Sequence, residues 1–518
     1  MATITSLPLQ RNQSQGTLRR TYRRISGGGA AWVLACSLLA VGLLGYHPFA
    51  EDGGIYATGV TLRLHTELFP AERTLAHSFA DAHTSQSLFV PALAALIRLA
   101  HAPEETAMLL LFIASLIATL AAALSLARVV FSSEREQRWA VLLLSVSLGL
   151  PVAGTSLYLA DPYLTARSLW TPVVLYGLSQ LLRSRTRLAM FCLALVAPLH
   201  PLMTVWAALL FATLLAYRSA RRAVWSARVA AVALAVMMAM QMFAPADSAA
   251  VRAASLSRGY WFLSRWEWYE WIGLAAAPLL LVLYAMRFDT FRNASARARE
   301  LAFAAATVAG VATIASLLLI HPGNSSLLLA RMQPLRLLHP VYVIFVLLTG
   351  GILGSLPRRL RWVPLSACLA AGIGLLSMQR GIYAHSGQWE LPGADPVNGY
   401  EQAFRWVRTN TPVDAIFATD AEYTNASGED AQMFRAVARR TVLPDRAKDG
   451  GVASVVPALA DVWRHGSDLQ TGLAVLSDRE RVARIRPLGA TWILLPAHSL
   501  TAFPCPYWNG VAKVCQLP

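Results

Sequence analysis

Between residues 29 and 379 the chain repeats one pattern, an apolar run closed by a short arginine-bearing segment, and that pattern leaves few folds open. Inside a bilayer such a backbone satisfies its N–H and C=O groups only as helices or as a closed barrel, and the runs have helical length. Apolar runs at 29–46, 106–128, 139–156, 169–182, 188–200, 201–217, 229–246, 267–286, 301–320, 337–356 and 362–379 predict about eleven transmembrane helices. Composition agrees, with 56% hydrophobic and only 14% charged residues. The first run lies too far from the N-terminus, and has too poor a cleavage site after it, to read as a removed signal peptide, so it is expected to stay as an anchor. The net charge of +16 sits in clusters between the runs rather than on one soluble face, which argues against a nucleic-acid partner. Only Lys448 and Lys513 are lysines; this arginine bias is read as genome composition and given no functional weight.

Arginine placement sets the expected orientation, because basic residues are retained on the cytoplasmic side. With residues 1–28 inside, the alternating inside segments carry 22 arginines and the outside loops before residue 380 carry nine. Residues 87–100, "SLFVPALAALIRLA", are apolar enough for a short span, but a crossing there would turn 17 of the 22 outward. They are expected as an interfacial or re-entrant helix in an outer first loop, 47–105. The same topology puts "RGYWFLSRWEWYEW", 258–271, at the outer interface as an aromatic belt, with Arg258 and Arg265 available to lipid phosphates.

From about residue 381 the sequence turns polar and turn-rich, enough for one small outer α/β domain, 381–518. "YEQAFRWVRTNTP" reads as a helix stopped by its proline, and "DAIFAT" and "ATWILLP" read as short buried strands. Cys36, Cys192 and Cys368 fall within apolar runs. Cys505 and Cys515 fall in the outer domain, where an oxidising compartment permits a disulfide.

Four distant stretches bring polar groups to the outer face, where they are costly and often functional. In "YHPFAEDGGIYATG" the adjacent carboxylates Glu51 and Asp52 disfavour double ionisation, which suits one of them to general-base work; capping a helix N-terminus is the plainer role. Gly53 and Gly54 allow close backbone approach, clearing space for a lipid headgroup, or an unusual turn, and His77, Asp81 and His83 follow in the same loop. "LADPYLTARSLWTP" holds Asp161 and Arg167, the arginine serving either as a phosphate clamp or as the partner of Asp161. "APLHPLMTVW" places His200 at a proline turn, as a turn residue before a ligand. "ARMQPLRLLHP" gathers Arg331, Gln333 and Arg336, which suit a lipid phosphate or act as snorkelling anchors.

On "YHPFAEDGGIYATGV", "DPYLTARSLWTP", "HPLMTVW", "QPLRLLHPVY" and "GEDAQMFRAVARRTVLPD" the chain resembles bacterial membrane proteins of the GT-C class of glycosyltransferases, which includes protein O-mannosyltransferases and arabinose-adding lipid A enzymes. The resemblance implies an α-helical polytopic membrane fold in the bacterial inner membrane, the N-terminus cytoplasmic, residues 29–380 embedded and 381–518 outside. It implies sugar transfer from a polyprenyl-phosphate donor to an acceptor of unknown identity, with Asp52 as the base, Glu51 beside it, and Arg167, Arg331 and Arg336 on the phosphate. Better-known members carry Asp-Glu or a metal-holding Asp-x-Asp where this chain has Glu-Asp-Gly-Gly, so a divalent metal is an open cofactor and no metal ligand is assigned. Two other readings stand beside it: a non-catalytic binding or assembly protein of the cell envelope using "EYTNASGEDAQMFRAVARR", and a transporter, for which the runs hold few charges.

Overall fold

A computed structural model describes residues 13–70, 78–219, 222–287 and 295–518. His77 lies outside the described residues, as do Arg11, Arg73, Arg221 and Arg292 of the arginine count. The protein is mostly helical, with a small C-terminal sheet. Each of the eleven apolar runs lies on a helix: Gln13–Leu44, Glu104–Val130, Glu134–Val146, Ala166–Leu182, Thr186–Val196, Pro201–Tyr217, Arg222–Phe243, Trp268–Arg287, Ala296–Leu319, Leu338–Ser355 and Trp362–Ile382. Among the described residues six stretches are long and apolar enough to cross a membrane: Glu104–Val130, Val224–Phe243, Trp268–Arg287, Ala296–Leu319, Leu328–Ser355 and Arg358–Ile382.

Others of the eleven are shorter than a crossing requires. Glu134–Val146 has 13 residues and Thr186–Val196 has 11; at 1.5 Å per residue they reach roughly 20 and 17 Å, against about 30 Å of hydrocarbon. The run 139–156 leaves the helix after Val146 because the chain reverses there, Pro151 bridging Tyr158. The ambiguous stretch 87–100 forms the 12-residue helix Phe89–Ala100, with Phe89, Val90, Leu93, Ala94 and Ile97 buried on one face. Leu88, Leu96 and Leu99 stay exposed, giving it the two-faced character of a helix lying on a boundary.

Helix ends sort into two groups. At one end Trp32 Nε1 donates to the Arg138 carbonyl (3.2 Å), Arg183 donates to the Ser125 carbonyl (3.2 Å), and Ser295 Oγ donates to the Val130 carbonyl (3.0 Å). Arg218 joins them, bonded to Ser184 Oγ at 2.8 Å and 3.5 Å from Glu300. At the opposite end the His47 N–H donates to the Pro162 carbonyl (2.8 Å), Trp206 Nε1 to the Met332 carbonyl (2.9 Å), and Arg252 to the Pro322 and Asn324 carbonyls.

The C-terminal domain sits on this second end. Its first helix, Gly399–Asn410, is capped by the Asn398 side chain and stops at Thr411, before Pro412. Its sheet is ordered β2-β1-β3-β5-β4, with β1 Ile416–Ala418, β2 Thr441–Val442, β3 Trp492–Pro496, β4 Tyr507–Trp508 and β5 Ala512–Gln516. Strands β2, β1 and β3 are parallel, while β5 and β4 add antiparallel to the β3 edge. Cys505 and Cys515 are disulfide-bonded across this added hairpin. The domain docks through backbone pairing: Ala50 bridges Gln432, the Glu51 N–H donates to the Ala431 carbonyl (3.0 Å), and the Met433 N–H donates to the Phe49 carbonyl (2.9 Å).

Candidate active site

The helix Glu51–Leu64 begins six residues after the first apolar helix ends, so its acidic first turn is held at the docked end of the bundle. Two carboxylates there favour the positive helix N-terminus. Their surroundings differ. Glu51 adopts a left-handed backbone (φ 44°) and turns its carboxylate to Lys448 Nζ, 2.9 Å away. Asp52, with its side chain 49% exposed, lies 4.0 Å from Arg167 Nη1.

Arg167 opens the helix Ala166–Leu182, whose start is fixed by a reciprocal cap between Thr165 and Ser168. Its Nη2 donates to Asp161 Oδ2 at 2.6 Å, and Thr165 Oγ1 donates to the same oxygen at 3.3 Å. Arg167 is thus the partner of buried Asp161, and it also reaches Asp52. Its Nε, buried, has no hydrogen-bond partner.

Arg336 comes from a short 3-10 turn, Pro334–Leu337, that precedes the helix Leu338–Ser355. Gln333, at φ 48°, accepts from Arg336 Nε through its side-chain oxygen. Arg336 lies within electrostatic reach of Arg167, Asp52, Tyr56 and Tyr260, and among the described residues no carboxylate pairs with it. His339 faces the same region, bonded through Nε2 to the Leu159 carbonyl (3.2 Å) with Nδ1 unpartnered. Two cavities of about 20 Å³ flank the arginines, one touching Tyr260, Gln333 and Arg336, the other Asp161, Arg167 and Ser168. A cleft of about 800 Å³ lies elsewhere, between Arg63, Asp81 and Arg98 of the first loop and Leu459 of the C-terminal domain.

Several expected site residues are otherwise engaged. Arg331 forms a two-pronged pair with Asp247, 2.8 Å on each side, and its charge is already matched. Arg258 donates to the Ala447 carbonyl (2.6 Å) and Arg265 to the Leu256 carbonyl (2.6 Å), so each has one protein carbonyl on its guanidinium. The expectation that Gly53 and Gly54 clear space for a ligand is also corrected. A Cβ on Gly53 would lie 2.8 Å from Tyr163 Cγ, and one on Gly54 2.4 Å from Met433 Cβ, so the pair lets the protein pack against itself.

The metal left open by the Glu-Asp pair finds no suitable donor set. Glu51 is bound to Lys448 and Asp161 to Arg167, and among the described residues no three His, Cys, Asp or Glu side chains gather as a metal site. Sequence reasoning overlooked Lys448, Tyr56, Tyr260 and His339. Only Lys448 carried a usable signal, as one of two lysines in an arginine-rich chain. No protein-family model matches the chain, and no curated protein matches it.

Proposed function

We propose that the protein is a membrane glycosyltransferase that moves a sugar from a polyprenyl-phosphate donor to an acceptor hydroxyl at the membrane's outer face. One observation carries the reading. A half-exposed carboxylate, Asp52, lies 4.0 Å from Arg167 and within electrostatic reach of Arg336, arginines brought from segments 115 and 284 residues away, and Arg336 has no anionic partner among the described residues. Arg336 is partly buried, and positive charge withdrawn from water without a counter-ion is costly; an oxyanion bound there relieves the cost.

In this reaction Asp52 takes the proton of the acceptor hydroxyl as its oxygen bonds to the anomeric carbon. The bond from that carbon to the donor phosphate breaks, and its electron pair leaves on the phosphate oxygen. Arg336 and the free Nε edge of Arg167 stabilise the charge that develops. No metal is required by this balance. The reading keeps the eleven-crossing topology, with the bilayer thinned around the short helices, the arginine-rich end cytoplasmic and the C-terminal domain outside. The GT-C resemblance supports it without establishing the chemistry.

The test offers purified protein labelled polyprenyl-phosphate sugars and compares wild type with Asp52→Asn. Transfer that disappears in the variant supports the reading. Equal transfer by both removes Asp52 from the mechanism.

A further inference from the structure

The helix Arg446–Val455 of the C-terminal domain touches three outer elements from one short stretch, "RAKDGG". Lys448 binds Glu51, Asp449 lies 3.5 Å from His83 Nε2, and the Ala447 carbonyl accepts from Arg258. A Cβ on Gly450 would lie 2.6 Å from Arg258 Nη2, so the glycine is needed for that approach. No other contact in the molecule joins the outer domain to the residue next to Asp52 through a charged side chain that is itself buried among the described residues.

Lys448 is only 5% exposed, and both partners of its ammonium lie at the helix start: Glu51 Oε2 at 2.9 Å and the Ala431 carbonyl at 3.0 Å. The same Ala431 carbonyl accepts the Glu51 N–H at 3.0 Å. A single ammonium thus holds Glu51 from two directions. This matters because Glu51 is a non-glycine residue at φ 44°, a sparsely populated conformation that persists only where neighbours enforce it. The next residue is Asp52, and its direction is set by that backbone. Lysine suits the place chemically, since a compact ammonium can donate to a carboxylate and a carbonyl at once, whereas a guanidinium is longer and planar.

We propose that Lys448 is a positioning residue for Asp52: it locks Glu51 in its left-handed conformation and neutralises it, so that only Asp52 faces Arg167 and the substrate. Glu51 is then an anchor rather than a second acid, and docking of the C-terminal domain completes the site in the membrane domain. The inference rests on the transferase reading above for its catalytic consequence, while its structural half stands on the contacts alone.

Lys448→Met, Lys448→Arg, Glu51→Gln and the Lys448→Met/Glu51→Gln pair are compared in full-length purified protein, by transfer kinetics and by hydrogen exchange of residues 46–58. The expected result is a fall in kcat of roughly 10- to 100-fold for Lys448→Met at unchanged donor KM, with faster exchange in 46–58. Lys448→Arg recovers part of the loss, and the double variant is no slower than the worse single one, because the two residues act through one contact. Wild-type kcat in Lys448→Met, or losses that add in the double variant, overturns the proposal. Glu51→Gln, at a half-exposed position, keeps the test usable where Lys448→Met folds poorly. Faster exchange in Lys448→Met, with no transfer even by wild type, supports the anchoring contact and removes the transferase reading instead.

Discussion

The two ends of the helical bundle handle charge in opposite ways. At the arginine-rich end the pairs are more open: Arg138 binds Glu134 one helical turn away, with 44% and 64% of the two side chains open to solvent, and Arg218 with Glu300, 82 residues apart, keeps 22% and 23% open. At the other end charges pair across remote segments with at least one partner buried, as in Lys448 (5% exposed) with Glu51 (397 residues apart) and Arg331 with Asp247 (84 apart), while Arg435 and Asp449, 14 residues apart, are at 1% and 0% exposure. Exposed charges need no particular neighbour, so they serve as address labels for the chain. Buried ones are stable only within a specific constellation, and a protein that retains them has arranged them for structure or chemistry.

Within the buried end, position separates chemistry from scaffolding, and the largest expected effect is Asp52→Asn. Loss of a general base predicts a drop in transfer of about 10²- to 10⁴-fold with little change in melting temperature, since Asp52 is half exposed. Next come the two arginines that sequence alone places together. Arg336→Ala is expected to lower kcat about 100-fold. Arg331→Ala breaks the pair with Asp247, both groups being at least 86% buried, and is expected to remove about 3 kcal/mol of stability while the folded fraction keeps its kcat. Kinetics and thermal melting on the same preparations separate the two. If Arg331→Ala also abolishes kcat in folded protein, the division between them is wrong.

That division was not legible beforehand, and the reason is physical. Hydropathy placed all eleven apolar runs on helices, because apolar periodicity is local information. Strands β1 and β3 were legible for the same reason, whereas the β4–β5 hairpin lies in a segment without alternation. The polar clusters singled out Asp52, Arg167 and Arg336, of which Asp52 and Arg167 lie 4.0 Å apart and Arg336 lies within electrostatic reach of both. Partner choice was hidden, because Asp247 lies in an unremarkable "PADSAA" and Lys448 in a domain whose docking no spacing rule predicts. The glycine pair misled, since a missing side chain reads the same whether a ligand or Tyr163 fills the space.

The interface between the two regions carries its own smaller signature in pH. Burial, with Glu390 nearby, pushes the Glu401 carboxyl up to about 7; burial pushes Glu429 up to about 8 against the pull of Lys448. Both belong to the C-terminal domain face that meets the bundle. Unfolded, each would lose its proton at an ordinary carboxyl pKa near 4.3, so between that pH and 7–8 the folded protein holds protons that the unfolded chain does not. Stability therefore falls as pH rises through this window. Melting temperature is expected to be higher at pH 5 than at pH 8, and Glu401→Gln with Glu429→Gln to flatten the slope. A rise in stability from pH 5 to pH 8 would mean that these carboxyls are ionised in the folded state.

At the arginine-rich end the same kind of change should do almost nothing. Arg138 stacks 5.8 Å from the Trp32 ring and pairs with Glu134 at 2.7 Å, but both partners of the ion pair are largely in solvent. An exposed pair at this spacing is worth about 0.3–0.5 kcal/mol. Arg138→Ala is therefore expected to shift melting only slightly and to leave transfer untouched, with added salt masking even that difference. A destabilisation as large as that of Arg331→Ala would show that this end also depends on specific partners, and the contrast between address label and built constellation would fail where it is drawn most sharply.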